Sequence, residues 1–453
     1  MNVAVVGGGI AGLAAAWELS SGDDPAEVTV VEPGPLGGRI QTEDFLGHPV
    51  DTGADAFIAR APDAILLARE LGLGDELVAP EARKALLWVG GRLRPLPEGL
   101  VLGAPARLRP LIASGVLSPG GVLRAGLDLV LPATRWPEDP TVAEVVGRRF
   151  GRQVAERLVD PLVGGIHAGD TAHLSAESTA PQLARAARSH RSLLLGLRAL
   201  PPPGTGPLFL APRQGMGRLI ERLVEELTTR GVRFQPVAAA AVHGENGGGV
   251  VVEPVGAFAA AVIATPARVA ATLLNTVTPE AAAELAAIRT ASVALVTAAY
   301  RRSDVPAPDG VSGWLVARTE GRLMTACSFG SSKWPHWSDP DTMVLRLSAG
   351  RSGDERALQL TDEVLMERLQ HELAAALGVT AAPCHWRVSR WREAFPQYEP
   401  GHSARVDRIE AALRRDVPGV ALAGASLRGS GVPACIASGR RAARAVRAPA
   451  SGT

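Results

Sequence analysis

Lysine is nearly absent from this chain: Lys84 and Lys333 are the only two in 453 residues, so almost all of the 47 basic side chains are arginine. With the many alanines and glycines, this reads first as a GC-rich coding bias. The 46 acidic residues leave a formal net charge of +1, which excludes the broad basic field that nucleic-acid binding needs. Cysteine is scarce as well. Cys327, Cys384 and Cys435 stand far apart with no CxxC or CxH spacing, which argues against a disulfide framework or a metal site and suits a reducing compartment. Aromatics make up 4% of the chain, and Tyr300 and Tyr398 are its only tyrosines, so an aromatic ligand cage is hard to assemble. No uninterrupted apolar run reaches the ~18–20 residues needed to span a bilayer. A strand pattern starts at once, which leaves no room for a signal peptide. The expected location is the cytoplasm, and peripheral membrane contact is compatible with it.

Glycine, by contrast, is abundant, and its placement near the start is specific. An apolar strand at residues 3–6 runs into Gly7-Gly8-Gly9-Ile10-Ala11-Gly12, then a helical stretch over 11–19 and a second strand at 28–31 ending on Glu32, twenty residues past Gly12. That order is the dinucleotide fingerprint. Gly7 allows the tight turn, Gly9 lets backbone approach a pyrophosphate, and Gly12 brings helix and strand together. The pyrophosphate would sit on free N–H groups at the helix N-terminus, where the macrodipole favours negative charge. Glu32 would accept hydrogen bonds from the ribose hydroxyls. Directly after it comes Pro33-Gly34-Pro35-Leu36-Gly37-Gly38-Arg39-Ile40, similar to the extended nucleotide motif of amine-oxidase-like flavoproteins. There the backbone and the arginine reach the pyrophosphate. No second GxGxxG follows, and these two elements favour FAD over NAD.

The remaining segments suggest an α/β chain with a Rossmann-type FAD-binding domain built from three pieces, 1–57, 206–280 and 391–453. The second piece opens at Phe209 and carries a helix with Leu219, Ile220, Leu223, Val224 and Leu227 at helical spacing, then strands at 232–237, 250–255 and 261–266. The third holds a strand, a Gly-rich loop and a closing helix over 420–445. A mainly helical insert, 58–205, is predicted from patterns such as 63–71 and 141–158 and is closed by Pro201-Pro202-Pro203-Gly204. A mixed-sheet substrate-binding domain, 281–390, is predicted from strands at 291–300 and 343–348 and an amphipathic helix at 362–377. Gly244 to Gly249 reads as a hairpin tip or loose loop, and a low-complexity tail is confined to positions beyond about 448.

Several motifs together resemble the bacterial protoporphyrinogen/coproporphyrinogen oxidases of haem biosynthesis. Besides the two glycine motifs these are Asp51-Thr52-Gly53-Ala54-Asp55-Ala56-Phe57, Trp88-Val89-Gly90-Gly91-Arg92-Leu93, Asp160-Pro161-Leu162-Val163-Gly164-Gly165-Ile166-His167-Ala168-Gly169-Asp170, Phe395-Pro396-Gln397-Tyr398-Glu399-Pro400-Gly401-His402 and the run from Gly424 to Ile436. Ala434 and Leu427 depart from the pattern, where members usually carry an acid and an aromatic.

The resemblance implies that Gly53, Ala54, Asp55 and Ala56 line the isoalloxazine, that Val237 holds the adenine by its main chain, and that Ser430, Gly431 and Val432 meet the pyrimidine end, with Trp391 packing near the cofactor. Arg83 and Lys84 fall where the family keeps a cation for a substrate propionate, and His167 and Asp170 are candidate proton acceptors or orienting groups. His402 is expected to anchor a loop. The implied reaction is a six-electron aromatisation in three two-electron steps, with hydride passing to the flavin and dioxygen reoxidising it. The flavin carries this chemistry, so no Ser/His/Asp constellation is required. Coproporphyrinogen III is the favoured substrate, with protoporphyrinogen IX the alternative. An amine oxidase or desaturase, and a non-catalytic carrier of the same fold, are the competing readings. Pathway logic adds a hand-off to ferrochelatase as a partner.

Overall fold

A computed structural model describes every residue except 202, 203, 205, 246, 247 and 448–453. The Pro202-Pro203 end of the insert, part of the glycine run after Gly244, and the tail lie outside the described residues.

Short β-branched runs with no polar face make strands that must be covered on both sides. Four such strands, with Arg233–Gln235 as a largely exposed edge, form a parallel sheet in the order Arg233–Gln235, Glu27–Val31, Asn2–Val6, Ala260–Ile263, Val420–Leu422. Along the central strand, Val3 and Val5 face a core shared with helices Ile10–Leu19, Gly217–Thr229 and Val432–Arg447. Ala4 and Val6 point the other way, into a core with Ala267–Leu274 and Pro279–Ala286. The expected strand at 250–255 is instead the middle of a small antiparallel sheet, Ala241–Gly244, Val250–Glu253 and Gly256–Phe258, and it stops at Pro254.

The first and last helices approach very closely. A Cβ on Gly439 would stand 2.1 Å from the carbonyl oxygen of Ala11, and one on Gly12 would stand 1.9 Å from that of Gly7. Glycine is therefore required on both helices, and the C-terminal segment is locked onto the nucleotide turn.

A second sheet has seven strands in the order His385–Pro396, Thr290–Arg301, Thr342–Ala349, Met324–Phe329, Val311–Val316, Lys84–Trp88, Leu93–Pro95. All its pairings are antiparallel except Lys84–Trp88 with Val311–Val316. Two of these strands come from the stretch read as a mainly helical insert, and His385–Pro396 runs unbroken through position 391, where the sequence division sets a boundary. One face of this sheet packs on helix Asp362–Leu377 through Leu345, Leu347, Ala294 and Val296.

The single helix expected over 141–158 is broken. Helix Val142–Phe150 ends at Gly151, whose φ of 89° no helix tolerates, and the chain continues through Arg152–Val154 into a wide π-helical stretch, Ala155–Gly164. Pro161 lies inside that stretch and supplies no N–H, which favours the altered hydrogen-bond pattern.

Candidate active site

Between the two sheets lies a cavity of about 650 Å³. At one end it is walled by the turn that the glycines build. Gly7 sits at φ 110° and its N–H donates to the Val31 carbonyl at 2.9 Å, closing the turn. The Glu32 carboxylate accepts from the Gly8 amide at 2.8 Å and from the Gly34 amide at 2.9 Å, which fixes it at the rim with lone pairs to spare. Gly37 donates to the Gly8 carbonyl at 2.8 Å, so the second glycine pair is bolted to the first turn. A Cβ on Gly9 would meet no atom within 4 Å, and no side chain caps the helix Ile10–Leu19. Open space in front of uncapped first-turn amides suits a pyrophosphate, so the residues fit a dinucleotide.

Of the positions expected to hold the cofactor, Gly7, Gly9, Ile10, Ala11, Glu32, Gly38, Arg39, Gly53, Ala54, Trp391, Ser430 and Val432 line this cavity. Gly8, Gly12, Pro33, Asp55, Ala56, Val237 and Gly431 are not among the lining residues. Gly12 is filled by the close contact with Gly7. The Val237 amide donates to Gln235 at 2.9 Å, which uses the group assigned to the adenine.

Arg39 does not reach out toward a pyrophosphate. Its guanidinium donates to the carbonyls of Ala394 at 2.6 Å and Glu393 at 2.9 Å, at the end of the second sheet. Asp55 turns away as well, to Lys333 at 2.7 Å and the Trp334 indole at 3.3 Å. Burial pushes its carboxyl up, but Lys333 and Arg346 outweigh that and hold it well below the usual carboxylate range. Trp391 is locked by donating its indole N–H to the Thr52 carbonyl at 2.7 Å, beside Gly53.

The loop around Gly424 to Ser430 is held from beneath. His402 bonds the Leu427 carbonyl through Nε2 at 2.7 Å, and its ring stacks on Tyr398 at 4.3 Å. Tyr398 Oη accepts from the Gly429 amide at 3.0 Å.

The substrate-side candidates lie elsewhere than expected. Arg83 and Lys84 are exposed and do not line the cavity. His167 is buried behind it against Tyr398, and burial lowers its pKa to about 4, so it is neutral and no anchor for a carboxylate. Asp170 accepts from the Ala172 amide at 2.9 Å and faces His173 at 3.4 Å in a surface turn. The charged side chains that do line the cavity, besides Glu32 and Arg39, are Asp160, Arg346 and Arg351. Strand alternation carried the signal for one of them. Along Thr342–Ala349, Leu345 and Leu347 face the apolar core, which turns Arg346 and Ser348 toward the cavity. The other walls are apolar and include Val293, Leu295, Leu315 and Ala326.

A parallel dinucleotide sheet opening onto an apolar cavity with a few fixed charges defines an FAD-dependent oxidoreductase. The chain belongs to the family described as flavin containing amine oxidoreductase, which it matches over residues 10–447. It is 38% identical over 455 residues to coproporphyrinogen III oxidase of Mycobacterium leprae (strain TN), with 98% of each chain covered. The coproporphyrinogen III oxidase of Bacillus subtilis (strain 168) is 33% identical over 460 residues, with 97% of each covered. A solved structure from Exiguobacterium sp. 255-15 is 30% identical and superposes with a TM-score of 0.88 over 98% of both chains. No helix among the described residues is long and apolar enough to cross a membrane.

Proposed function

We propose that this chain oxidises coproporphyrinogen III to coproporphyrin III, removing six electrons in three two-electron steps. The observation that carries the reading is the cavity itself: a largely apolar space continuous with the dinucleotide cradle, with arginines in its wall, in a chain similar along nearly its whole length to oxidases of that name. In this reading residues 1–57, 206–280 and 391–453 serve the cofactor, 281–390 the substrate, and 58–205 covers the cavity.

FAD, when bound, supplies the two-electron acceptor that each step needs. The amides of Gly9, Ile10 and Ala11 would take the pyrophosphate and Glu32 the ribose, while Gly53 and Ala54, in the loop after strand His48–Asp51, and Trp391, on the second sheet, would hold the ring. Val293, Leu295 and Leu315 exclude water and hold the macrocycle flat, which orients one reacting carbon at a time. Asp160 is not a free base. Its Oδ1 accepts from Thr171 N and Oγ1 at 3.2 and 3.0 Å, and its Oδ2 faces Arg318 at 3.5 Å. It holds the glycine-rich turn rather than moving a proton.

Dioxygen as terminal acceptor and a ferrochelatase as recipient of the product complete the proposal. Its setting is the cytoplasm, with Ile112, Leu123 and Val130, all more than half exposed, available for peripheral contact with a membrane.

Aerobic turnover of the flavin-loaded protein, with coproporphyrinogen III and protoporphyrinogen IX in parallel and porphyrin fluorescence as readout, tests the reading. Preference for the four-propionate substrate is expected. Preference for protoporphyrinogen IX, or no fluorescence with either, would overturn it.

A further inference from the structure

Arg351 combines three properties that few arginines share. It is buried, with 8% of its surface exposed, it lines the cavity, and its guanidinium makes no hydrogen bond or ion pair among the described residues. A guanidinium carries five N–H donors and is always charged, so withdrawing one from water without a partner is unfavourable unless a ligand supplies the partner.

Its neighbours do not supply one. Asp354 is held bidentately by Arg356, with both contacts at 2.8 Å, and Asp160 faces Arg318. Both carboxylates favour the Arg351 charge from a distance, but each is paired with another arginine, and the guanidinium donors of Arg351 are left without a partner among the described residues.

The backbone around it is built to hold that position. Arg351 sits in a turn between Gly350, at φ 90°, and Gly353, at φ 78°, closed by paired bonds between Arg351 and Asp354. The turn is pinned to the glycine-rich segment by the Ser352 amide, which donates to the Ala168 carbonyl at 2.7 Å. Arg318 clamps the same two segments, donating to Ser352 O at 3.2 Å and Gly169 O at 2.6 Å. Arg351 also borders a second cleft on the outer side, so it stands in the wall between the cavity and the surface.

We propose that Arg351 is the anchor for one carboxylate of the substrate, gripping it through its guanidinium fork while Arg318 holds the turn from behind. This deepens the porphyrinogen reading and rests on it: Arg351 takes the place given by sequence to Arg83 and Lys84. A flat apolar macrocycle bearing carboxylate arms fits a greasy cavity whose wall holds a cation left unpaired among the described residues, and the bidentate pair fixes the rotation of the ring as well as its affinity.

The test compares binding of coproporphyrin III and its tetramethyl ester, by fluorescence quenching, to the FAD-loaded wild type, Arg351→Gln and Arg351→Lys. Wild type is expected to prefer the free acid by about tenfold or more, Arg351→Gln to lose that preference while ester binding stays unchanged, and Arg351→Lys to recover part of it. An unaltered flavin spectrum shows that each variant is folded. A free-acid preference that survives in Arg351→Gln, or no preference in wild type, would overturn the anchor and leave the oxidase reading standing. If wild type oxidises neither porphyrinogen, benzoate becomes the probe: an Arg351-dependent shift of the flavin spectrum keeps the carboxylate site while the oxidase reading falls, and no shift removes both.

Discussion

Arg39 and Ala394 lie 355 residues apart in the chain, and the guanidinium of the first donates to the carbonyl of the second at 2.6 Å. With the parallel bond to Glu393, the turn beside the nucleotide cradle is tied to the edge of the second sheet, and the two walls of the cavity are set relative to each other. Arg39→Ala is expected to lower stability by about 2–3 kcal/mol, the worth of two charge-assisted bonds that are not fully buried. It should also release FAD at lower urea than global unfolding, read as free-flavin fluorescence against circular dichroism. Arg39→Lys should recover less than half, because an ammonium cannot reach both carbonyls in plane. Coincident transitions with an unchanged midpoint would show that the link is idle.

Gly9 and Gly439 make opposite demands. Gly9 has φ −71° and ψ 174°, a backbone that valine adopts freely, and a Cβ there meets no protein atom. Gly9→Val should therefore fold within about 1 kcal/mol of wild type and purify colourless, since the side chain fills the space a pyrophosphate needs. At Gly439 a side chain drives into the Ala11 backbone, so Gly439→Val should cost upward of about 3 kcal/mol and yield little soluble protein. Stoichiometric flavin in the Gly9 variant would remove the cradle from that loop.

The contrast between these two glycines also shows what a sequence makes legible. The nucleotide turn is local: strand, glycines, helix and acid follow one another within forty residues, so their roles can be read before any fold is known. Gly439 carries no such context, because its need for space comes from a helix more than four hundred residues earlier in the chain. The substrate side is non-local in the same way. Arg346, Arg351 and Asp160 reach one cavity from a strand, a turn and a π-helical stretch, and only the strand left a periodic trace. His167 and Asp170 do not line the cavity, whereas Asp160 of the same motif does. The glycine-rich turn packs His167 behind Gln397, whose side chain bonds its carbonyl at 3.0 Å, and brings Asp160 forward instead.

Asp51 should make stability fall as pH rises. It is buried, accepts from the Met216 amide at 2.8 Å and from the Thr42 hydroxyl, and joins the strand His48–Asp51 to the start of the helix Gly217–Thr229. Burial raises its pKa to about 7, against an unfolded value near 3.8. Below about pH 4 both states hold the proton, and between about 4 and 7 only the folded state does, so stability drops across that window, by about 4 kcal/mol at most. Asp51→Asn keeps an acceptor for Met216 and does not titrate. Its Tm relative to wild type should climb from pH 5 to pH 8, and a constant difference would show that the carboxyl is ionised throughout.

Lys333, one of the chain's two lysines, has a structural task at Asp55. The pair spans 2.7 Å with about a fifth of each side chain accessible, and Arg346 stands 3.9 Å from the same carboxylate oxygen while holding the Gly53 carbonyl. Removing the ammonium leaves Asp55 with the burial that opposes its charge and only the more distant arginine to favour it. Lys333→Met should therefore cost about 2–3 kcal/mol, below the range for a fully buried pair because water still reaches this one. Asp55→Asn in the same chain should restore most of the loss, since the amide needs no counter-charge. The pH dependence separates a charge effect from lost packing. In wild type the depressed carboxyl contributes stability that is present above its unfolded pKa and fades only as pH falls below about 4. In Lys333→Met burial is expected to carry the folded pKa of Asp55 past the unfolded value, so the deficit should be largest at neutral pH and shrink as the solution is taken to pH 4. A deficit that is flat from pH 7 to pH 4, or a double variant no more stable than Lys333→Met, would assign the loss to the missing methylenes and ammonium hydrogen bonds instead of to an uncompensated carboxylate.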